Sequence, residues 1–371
     1  MKKAIVSVIN DLATDQRVNK VCGTLQKTGF EVLLIGREQS DSLKLQPRTY
    51  STHRMKLFFE KGPLFYLFFN IRLLLFLLFH KCDLLVSNDL DTLIPNYFVS
   101  KLKKIPLVYD THEIFTEVPE LQHNRLKKRI WKGIERVLVP RLKYLFTVNK
   151  SIADWYQVQY HVSARIVRNV PTASLHSTIK SRLELDLPVD KQIIILQGSG
   201  INIDRGAEEL IESMKFIENS LLLIIGGGDC IPELKKRVIR LDLKEKVRFV
   251  GKLPYSELMQ YTRNSDLGVT FDKNTNINYY YSLPNKLFDY IHAGIPVLAS
   301  RLPEIEKIIR HYDLGDLIDN HEPRHIADKI EEVLKNQEQV RKWKENTKLA
   351  ARELVWETEE KELISVYKNF I

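Results

Sequence analysis

The sequence predicts an α/β protein of two doubly wound domains, each a parallel sheet with helices on both faces. Three observations carry this. The chain has 371 residues, too many for one ordinary core and suited to two domains. Short apolar runs alternate with amphipathic helical stretches, the pattern of parallel strands joined by right-handed crossovers. The same rhythm stops and restarts near residue 185.

In the first half the apolar runs are Ala4 to Ile9, Glu31 to Ile35, Asp83 to Ser87, Pro106 to Tyr109 and Leu145 to Val148. In the second they are Gln192 to Gln197, Leu221 to Ile225, Val247 to Val250, Leu267 to Phe271 and Pro296 to Ala299. Between the halves lies a linker with Pro171, a Ser/Thr-rich stretch and Pro188. The expected organisation is a first domain over 1–170, a linker over 171–188, a second domain over 189–352 and a terminal segment over 353–371. Lys2 and Lys3 precede an apolar run that Asn10 and Asp11 end, too short for a secretory signal. Cys22, Cys82 and Cys230 lie far apart and without C-x-x-C spacing, which suggests neither a disulfide framework nor a zinc site and fits a reducing cytoplasm.

Apolar content of 44% with 28% charged residues describes a soluble globular protein. Its charge is unevenly divided. Residues 1–180 hold 28 Lys and Arg against 15 Asp and Glu, whereas 181–371 hold 28 against 32, so the overall +9 comes from the first half. A basic half suits nucleic acid, anionic lipid or a diphosphate substrate. Nucleic acid is disfavoured, since no helix-turn-helix, zinc-finger or RNA-binding signature accompanies the charge. Leu64 to Phe79 has fourteen apolar or aromatic residues in sixteen, interrupted by Asn70 and Arg72. It falls short of the roughly 20 residues that span a bilayer. It is either buried against the first sheet or docked at a membrane interface with Lys56, Lys61 and Lys81 near the headgroups. The basic stretch from Arg125, with Lys127, Lys128, Arg129, Lys132 and Arg136, adds to the second reading; taken alone it is a solvated face.

Ligands of parallel sheets sit beyond the carboxyl ends of strands, so chemistry is sought in the loops that follow them. The stretch Ser282 to Val297, SLPNKLFDYIHAGIPV, is the most informative. Pro284 suits a first helical position, and Gly294 with Pro296 ends the helix before a buried strand. The free N–H groups at its start and the positive end of its dipole favour a phosphate, to which Lys286 adds a full charge. Asp289, three residues on, is placed to accept ribose hydroxyls. Gly198 to Gly206, with Gly198 and Gly200, allows close backbone approach and leads to Arg205, whose fork suits diphosphate oxygens. Gly226 to Asp229, with Gly228, passes close to a base or diphosphate, or is an unliganded tight turn. Asp272 to Tyr281, rich in Asn and Tyr, is placed to recognise a sugar. Ile203 and Ile231 stand where the third glycine of G-x-G-x-x-G belongs, and no Walker A run exists, which argues against NAD oxidoreductases and P-loop enzymes.

In the first half, Asp110-Thr111-His112-Glu113 follows a strand, a position that makes His112 and Glu113 candidates for hydrogen bonding or proton transfer in a site. Asn10 to Arg17 forms the first loop, with Asp15 capping the next helix and Arg17 either near phosphates or exposed. Asn88 to Asp91 forms a polar rim in which Asp89 or Asp91 is expected to cap a helix.

Pro284, Asp289, Ala293, Gly294, Pro296 and Val297 resemble the C-terminal signature of retaining glycosyltransferases of family 4, which have the GT-B fold. In that signature two glutamates stand eight positions apart; here Tyr281 occupies the first place and Asp289 the second. The variant P-N-K-L-F-(D/E)-Y, with Asn285, resembles enzymes of bacterial surface polysaccharide assembly. The resemblance implies two Rossmann-like domains facing across a cleft and a C-terminal helix crossing back to the first. It implies a nucleotide-diphosphate sugar as donor, Asp289 on the ribose, His112 near the transferred sugar and bonding one of its hydroxyls, Glu113 orienting it or contacting the acceptor, and Asn10, Asp15 and Arg17 on the acceptor side. It further implies Arg205 as the second of two phosphate cations, with Ser199 and Gly200 leaving the first absent. A lipid-linked or oligosaccharide acceptor, no required metal or other cofactor, and retention of configuration complete the expectation, at the cytoplasmic membrane surface. A sugar-nucleotide epimerase and a non-catalytic scaffold of the same fold are the alternatives.

Overall fold

In the computed structural model, which describes every residue except 14, 41, 43, 123 and 174–177, two parallel sheets organise two units. The first unit comprises Met1–Asn169 and Trp356–Ile371. Its strands are β1 (Lys3–Asp11), β2 (Glu31–Glu38), β3 (Ser51–Lys56), β4 (Leu84–Asn88), β5 (Leu107–Asp110), β6 (Tyr144–Thr147) and β7 (Arg165–Ile166), in the order β3-β2-β1-β4-β5-β6-β7. All pair in parallel. The central β4 and β5 are buried at every position, which is why each opens on three apolar residues without alternation, Leu84 to Val86 and Leu107 to Tyr109.

The helix Trp356–Tyr367 completes this unit. Trp356, Leu363, Val366 and Tyr367 join the apolar core formed by β1, β2, β4 and the helix Gln16–Lys27. Glu360 receives the Thr24 hydroxyl at 2.8 Å and the Lys27 ammonium at 2.7 Å, and Glu359 holds Arg168. The terminal segment thus joins the first unit at Trp356, and residues 353–355 stay with the second.

The second unit, Val170–Val355, has strands β8 (Gln192–Gly198), β9 (Ser220–Gly226), β10 (Val247–Gly251), β11 (Leu267–Thr270), β12 (Val297–Ser300) and β13 (Gly315–Ile318), in the order β10-β9-β8-β11-β12-β13. The stretch expected as a linker belongs to this unit. Leu185 and Leu187 enter its core, and Arg182 pairs with Asp266 at 2.8 Å; residues 174–177 lie outside the described residues. In each sheet the chain reverses direction across the middle, between β1 and β4 and between β8 and β11. Open α/β sheets take their ligands at that switch point.

Candidate functional site

In the second unit the switch point is lined by the loops after β8 and β11 and by the start of the helix Asn285–Ala293. Pro284 is the N-cap of that helix, one position earlier than the sequence suggested, and Gly294 closes it in the left-handed conformation. Lys286 is therefore its second residue, a position where the helix dipole disfavours a cation. Its stem lies over Gly198, with Cε 3.8 Å from where a Cβ would stand. Burial lowers its affinity for a proton, Asp272 opposes that, and Arg205 adds to it; the net direction is down. Among the described residues its ammonium forms no salt bridge. A half-buried lysine at the positive end of a helix and beside an arginine is badly placed for itself and well placed for an anion.

Arg205 comes to the same point from the β8 loop. It pairs with Asp272 Oδ2 at 2.7 Å, and its guanidinium lies over the Tyr279 ring at 4.1 Å. Asp272 is fully buried, and among the described residues its Oδ1 has no hydrogen-bond partner. Sequence reasoning did not single out either partner. Tyr279, from the loop expected to recognise a sugar, instead supports Arg205 and is buried. Tyr281, half-exposed, ends the short helix Ile277–Tyr280 with its ring against Tyr280, and Asn285 is exposed beside it.

Asp289 faces a separate group. The Tyr255 hydroxyl donates to its Oδ1 at 2.8 Å and Gln197 Nε2 to its Oδ2 at 2.9 Å. Gln197 is itself held by the Thr262 hydroxyl at 2.7 Å. These two bonds fix the orientation of the Asp289 carboxylate. Burial, then Asp289, raises the Tyr255 hydroxyl far above its ordinary value, which keeps it a donor.

The glycines of the two loops after β8 and β9 serve each other. Ile201 N–H donates to Gly227 O at 2.8 Å, and Gly227 N–H to Gly198 O at 3.1 Å. A Cβ on Gly228, whose φ is +155°, would stand 2.2 Å from Ile201 O. The close approach that Gly228 permits is thus to the neighbouring loop, whose ends Gly198 and Gly200 it braces.

In the first unit, Asn10 lies exposed and donates to Asp15 Oδ2 at 3.0 Å, and Asp15 Oδ1 caps the helix Gln16–Lys27 through Val18 N–H at 3.0 Å. Arg17 departs from expectation. It is 2% exposed, bonds Asp110 through Nε (3.1 Å) and a second nitrogen (2.7 Å), and donates to Val167 O at 2.7 Å. A guanidinium so engaged is a buried structural ion, not a surface cation for phosphate. Asp110 in turn lies 3.8 Å from His112 Nε2, while His112 Nδ1 meets Asp89 Oδ2 at 3.1 Å. Burial would discharge the imidazole, but Asp89 and Asp110 outweigh it and raise its pKa well above the usual value. His112 is therefore a charged donor between two carboxylates, not a base.

Asp89 stands at the N-cap of the short 3-10 turn Leu90–Thr92, as the sequence suggested, but does not cap it with its side chain. It takes the His112 ring and backbone N–H instead and holds φ +57°, ψ 170°, a conformation rare outside glycine. Asp91 is buried, with its proton affinity raised well above normal by burial, then by Asp89 and Glu113. Glu113 is half-buried next to His112. Among the described residues no three His, Cys, Asp or Glu gather as a metal-holding group.

Residues 182–350 match the family model for glycosyl transferases group 1, and residues 16–173 match that for glycosyltransferase family 4. A chitobiosyldiphosphodolichol beta-mannosyltransferase of Debaryomyces hansenii is 23% identical over 289 residues, 69% of this chain and 60% of its own. The chain thus spans about three fifths of that relative. Among solved structures, sucrose-phosphate synthase from Thermosynechococcus elongatus superposes with a TM-score of 0.81 at 16% identity, covering 100% of this chain and 99% of that one. Anabaena HepE, solved with UDP and glucose, superposes at 0.74 with 15% identity and full coverage of both chains. At such identities the likeness shows the fold, which is GT-B.

Proposed function

We infer, for a chain whose two domains belong to the group 1 and family 4 glycosyltransferases, that it moves a sugar from a nucleotide-diphosphate donor to a hydroxyl of a lipid-linked or saccharide acceptor. The reading includes retention of anomeric configuration and a role in cell-surface polysaccharide assembly, on the cytoplasmic side. The observation that carries it is Lys286, an unsatisfied, desolvated cation beside Arg205 at a helix start on the switch point of the second sheet. That UDP occupies HepE, a neighbour of the same fold, supports a nucleotide diphosphate as the anion.

On this reading the bond between the sugar and the diphosphate breaks and one forms to the acceptor oxygen, whose proton passes to the leaving phosphate oxygen. Negative charge grows on the diphosphate. Arg205, Lys286 and the N–H groups that open the helix Asn285–Ala293 are preorganised to meet it, the arrangement that lowers such barriers most. Asp272 and Tyr279 hold Arg205 at its post, and Asp289, framed by Gln197 and Tyr255, takes the ribose hydroxyls. Protonated His112 is assigned to donate to a sugar hydroxyl, with Asp89 and Asp110 fixing its ring and Glu113 beside it.

The test is calorimetric titration with UDP, GDP, ADP and CMP, followed by product analysis with the matching nucleotide sugar. Arg205→Ala and Lys286→Ala should each cut turnover strongly with an unchanged circular dichroism spectrum. Near-normal turnover in both would sink the assignment. Proton coupling at the product's anomeric centre reports retention; an epimerised donor, or no nucleotide bound, would favour the epimerase and scaffold readings respectively.

A further inference from the structure

Three helices of the first unit, Gly62–Phe79, Leu93–Lys103 and Arg125–Leu138, connect β3 to β4, β4 to β5 and β5 to β6. These crossovers all run the same way along the sheet, so their right-handedness puts the three helices on one face, the middle one touching both others. The first helix buries only Phe65, Phe69, Leu73 and Leu77, a stripe at spacing four. Its opposite side, with Leu64, Leu67, Phe68, Ile71, Leu75 and Phe79, is exposed, Phe79 to 83%. The sequence left burial and interface docking open for this run; the structure covers one stripe and leaves the other bare. Both helix ends return to one sheet, so the helix does not span a bilayer.

The helix Arg125–Leu138 repeats the pattern. Leu126, Ile130 and Val137 are exposed along one line, and Trp131 joins it to the first helix by an edge contact with Tyr66 at 5.4 Å. The charge on this layer has one sign. The three helices contain a single carboxylate, Glu135, buried beneath the Thr116 and Tyr160 hydroxyls. Lys128 and Lys132 share the carboxylate of Glu117, whereas Arg125, Lys127, Arg129 and Arg136 are exposed and form no salt bridge among the described residues. At the end of the layer a concavity of about 410 Å³ is lined by Lys101, Lys104, Arg141 and Lys143 and by no carboxylate.

We propose that this three-helix face docks in plane on an anionic lipid bilayer. Exposed aliphatic and aromatic side chains enter the headgroup boundary while the surrounding cations meet lipid phosphates. A second copy of this chain would set like charge against like, and nucleic acid would leave the apolar stripes without a partner; an anionic bilayer satisfies both. The docked helix also reaches the polar cluster of the first unit. Asn70, an interruption of the apolar run, turns inward and donates to Asp91 O at 2.9 Å, so it holds the loop that carries Asp89, the partner of His112.

The experiment is flotation of the full chain with phosphatidylcholine vesicles, with and without phosphatidylglycerol. Binding should require phosphatidylglycerol and weaken as salt rises. The pair Lys127→Glu and Arg129→Glu should lower partitioning by at least about fivefold per cation. Phe68→Ser with Leu75→Ser should lower it even at low salt, which mere adsorption of charge would not show. All four positions are exposed, so circular dichroism and nucleotide binding should stay at wild-type levels, and this proposal and the transferase reading fail separately. Equal flotation with neutral vesicles, wild-type flotation of either variant, or a lipid-free dimer in sedimentation that Phe68→Ser dissolves would overturn the proposal.

Discussion

Replacing Lys286 by methionine should move stability and ligand affinity in opposite directions. The side chain sits second in the helix Asn285–Ala293, beside Arg205, with its ammonium desolvated and its pKa lowered first by burial, against the pull of Asp272 and with the push of Arg205. Methionine keeps the stem over Gly198 and removes the charge. A charge opposing the helix dipole is worth about 0.3–1 kcal/mol, so the unliganded variant should gain about that much, a rise of about 1–4 °C in Tm. The sign follows from linkage. The folded state binds the Lys286 proton less tightly than the unfolded state does, so the gain is full at neutral pH. It fades as pH rises through the folded pKa and vanishes above the unfolded value near ~10.4. With ligand the balance reverses, because a charge-assisted hydrogen bond to a phosphate is worth about 1.5–3 kcal/mol, or about 10- to 150-fold in Kd. Scanning calorimetry of the unliganded proteins and titration with the nucleotide diphosphate that binds best read both quantities. A variant that melts below the wild type would mean that Lys286 serves the fold as a partner of Asp272, and the reasoning would be wrong.

Three further outcomes follow from the same geometry. Arg17→Ala strands the buried Asp110 carboxylate and should cost about 3–5 kcal/mol in urea unfolding; a loss below about 1 kcal/mol would show that the pair is dispensable. Burial raises the Asp110 pKa, but Arg17 and then His112 outweigh it and hold it well below the carboxylate range. Its contribution is thus present above about 3.9 and lost as pH falls, so Arg17→Ala should acid-unfold at a higher pH than wild type. His112, with its pKa raised against burial by Asp89 and Asp110, contributes fully below about 6.5 and less as pH climbs through its folded value. Its ring should appear as imidazolium by nitrogen NMR at neutral pH in wild type and not in Asp89→Asn; a neutral ring in wild type would contradict the assignment. Gly228→Ala should lose more than about 1 kcal/mol, since its φ is +155° and its Cβ would strike Ile201 O; wild-type stability would mean that the two loops can separate freely.

The alternation of buried strands and helices in two sets is written in the chain's local pattern, and so are the loops beyond them that carry Lys286, Asp289, Arg205 and His112. Parallel strands buried on both faces must be continuously apolar, so the central ones announce themselves. The edge strands β3, β7 and β13 escaped because a half-covered strand needs no such run. Which side chains meet in those loops is set by folding. Arg17 and Asp110 lie 93 positions apart and Gln197 and Asp289 lie 92 apart, and no local pattern encodes which carboxylate a distant guanidinium or amide will meet. The same holds for Leu185 and Leu187 of the expected linker, which enter the core, and for Asp89, which stands at a cap position and turns its side chain to a histidine. Composition made Leu64 to Phe79 apolar on every side; which side the sheet covers is a matter of packing, and packing left one side bare.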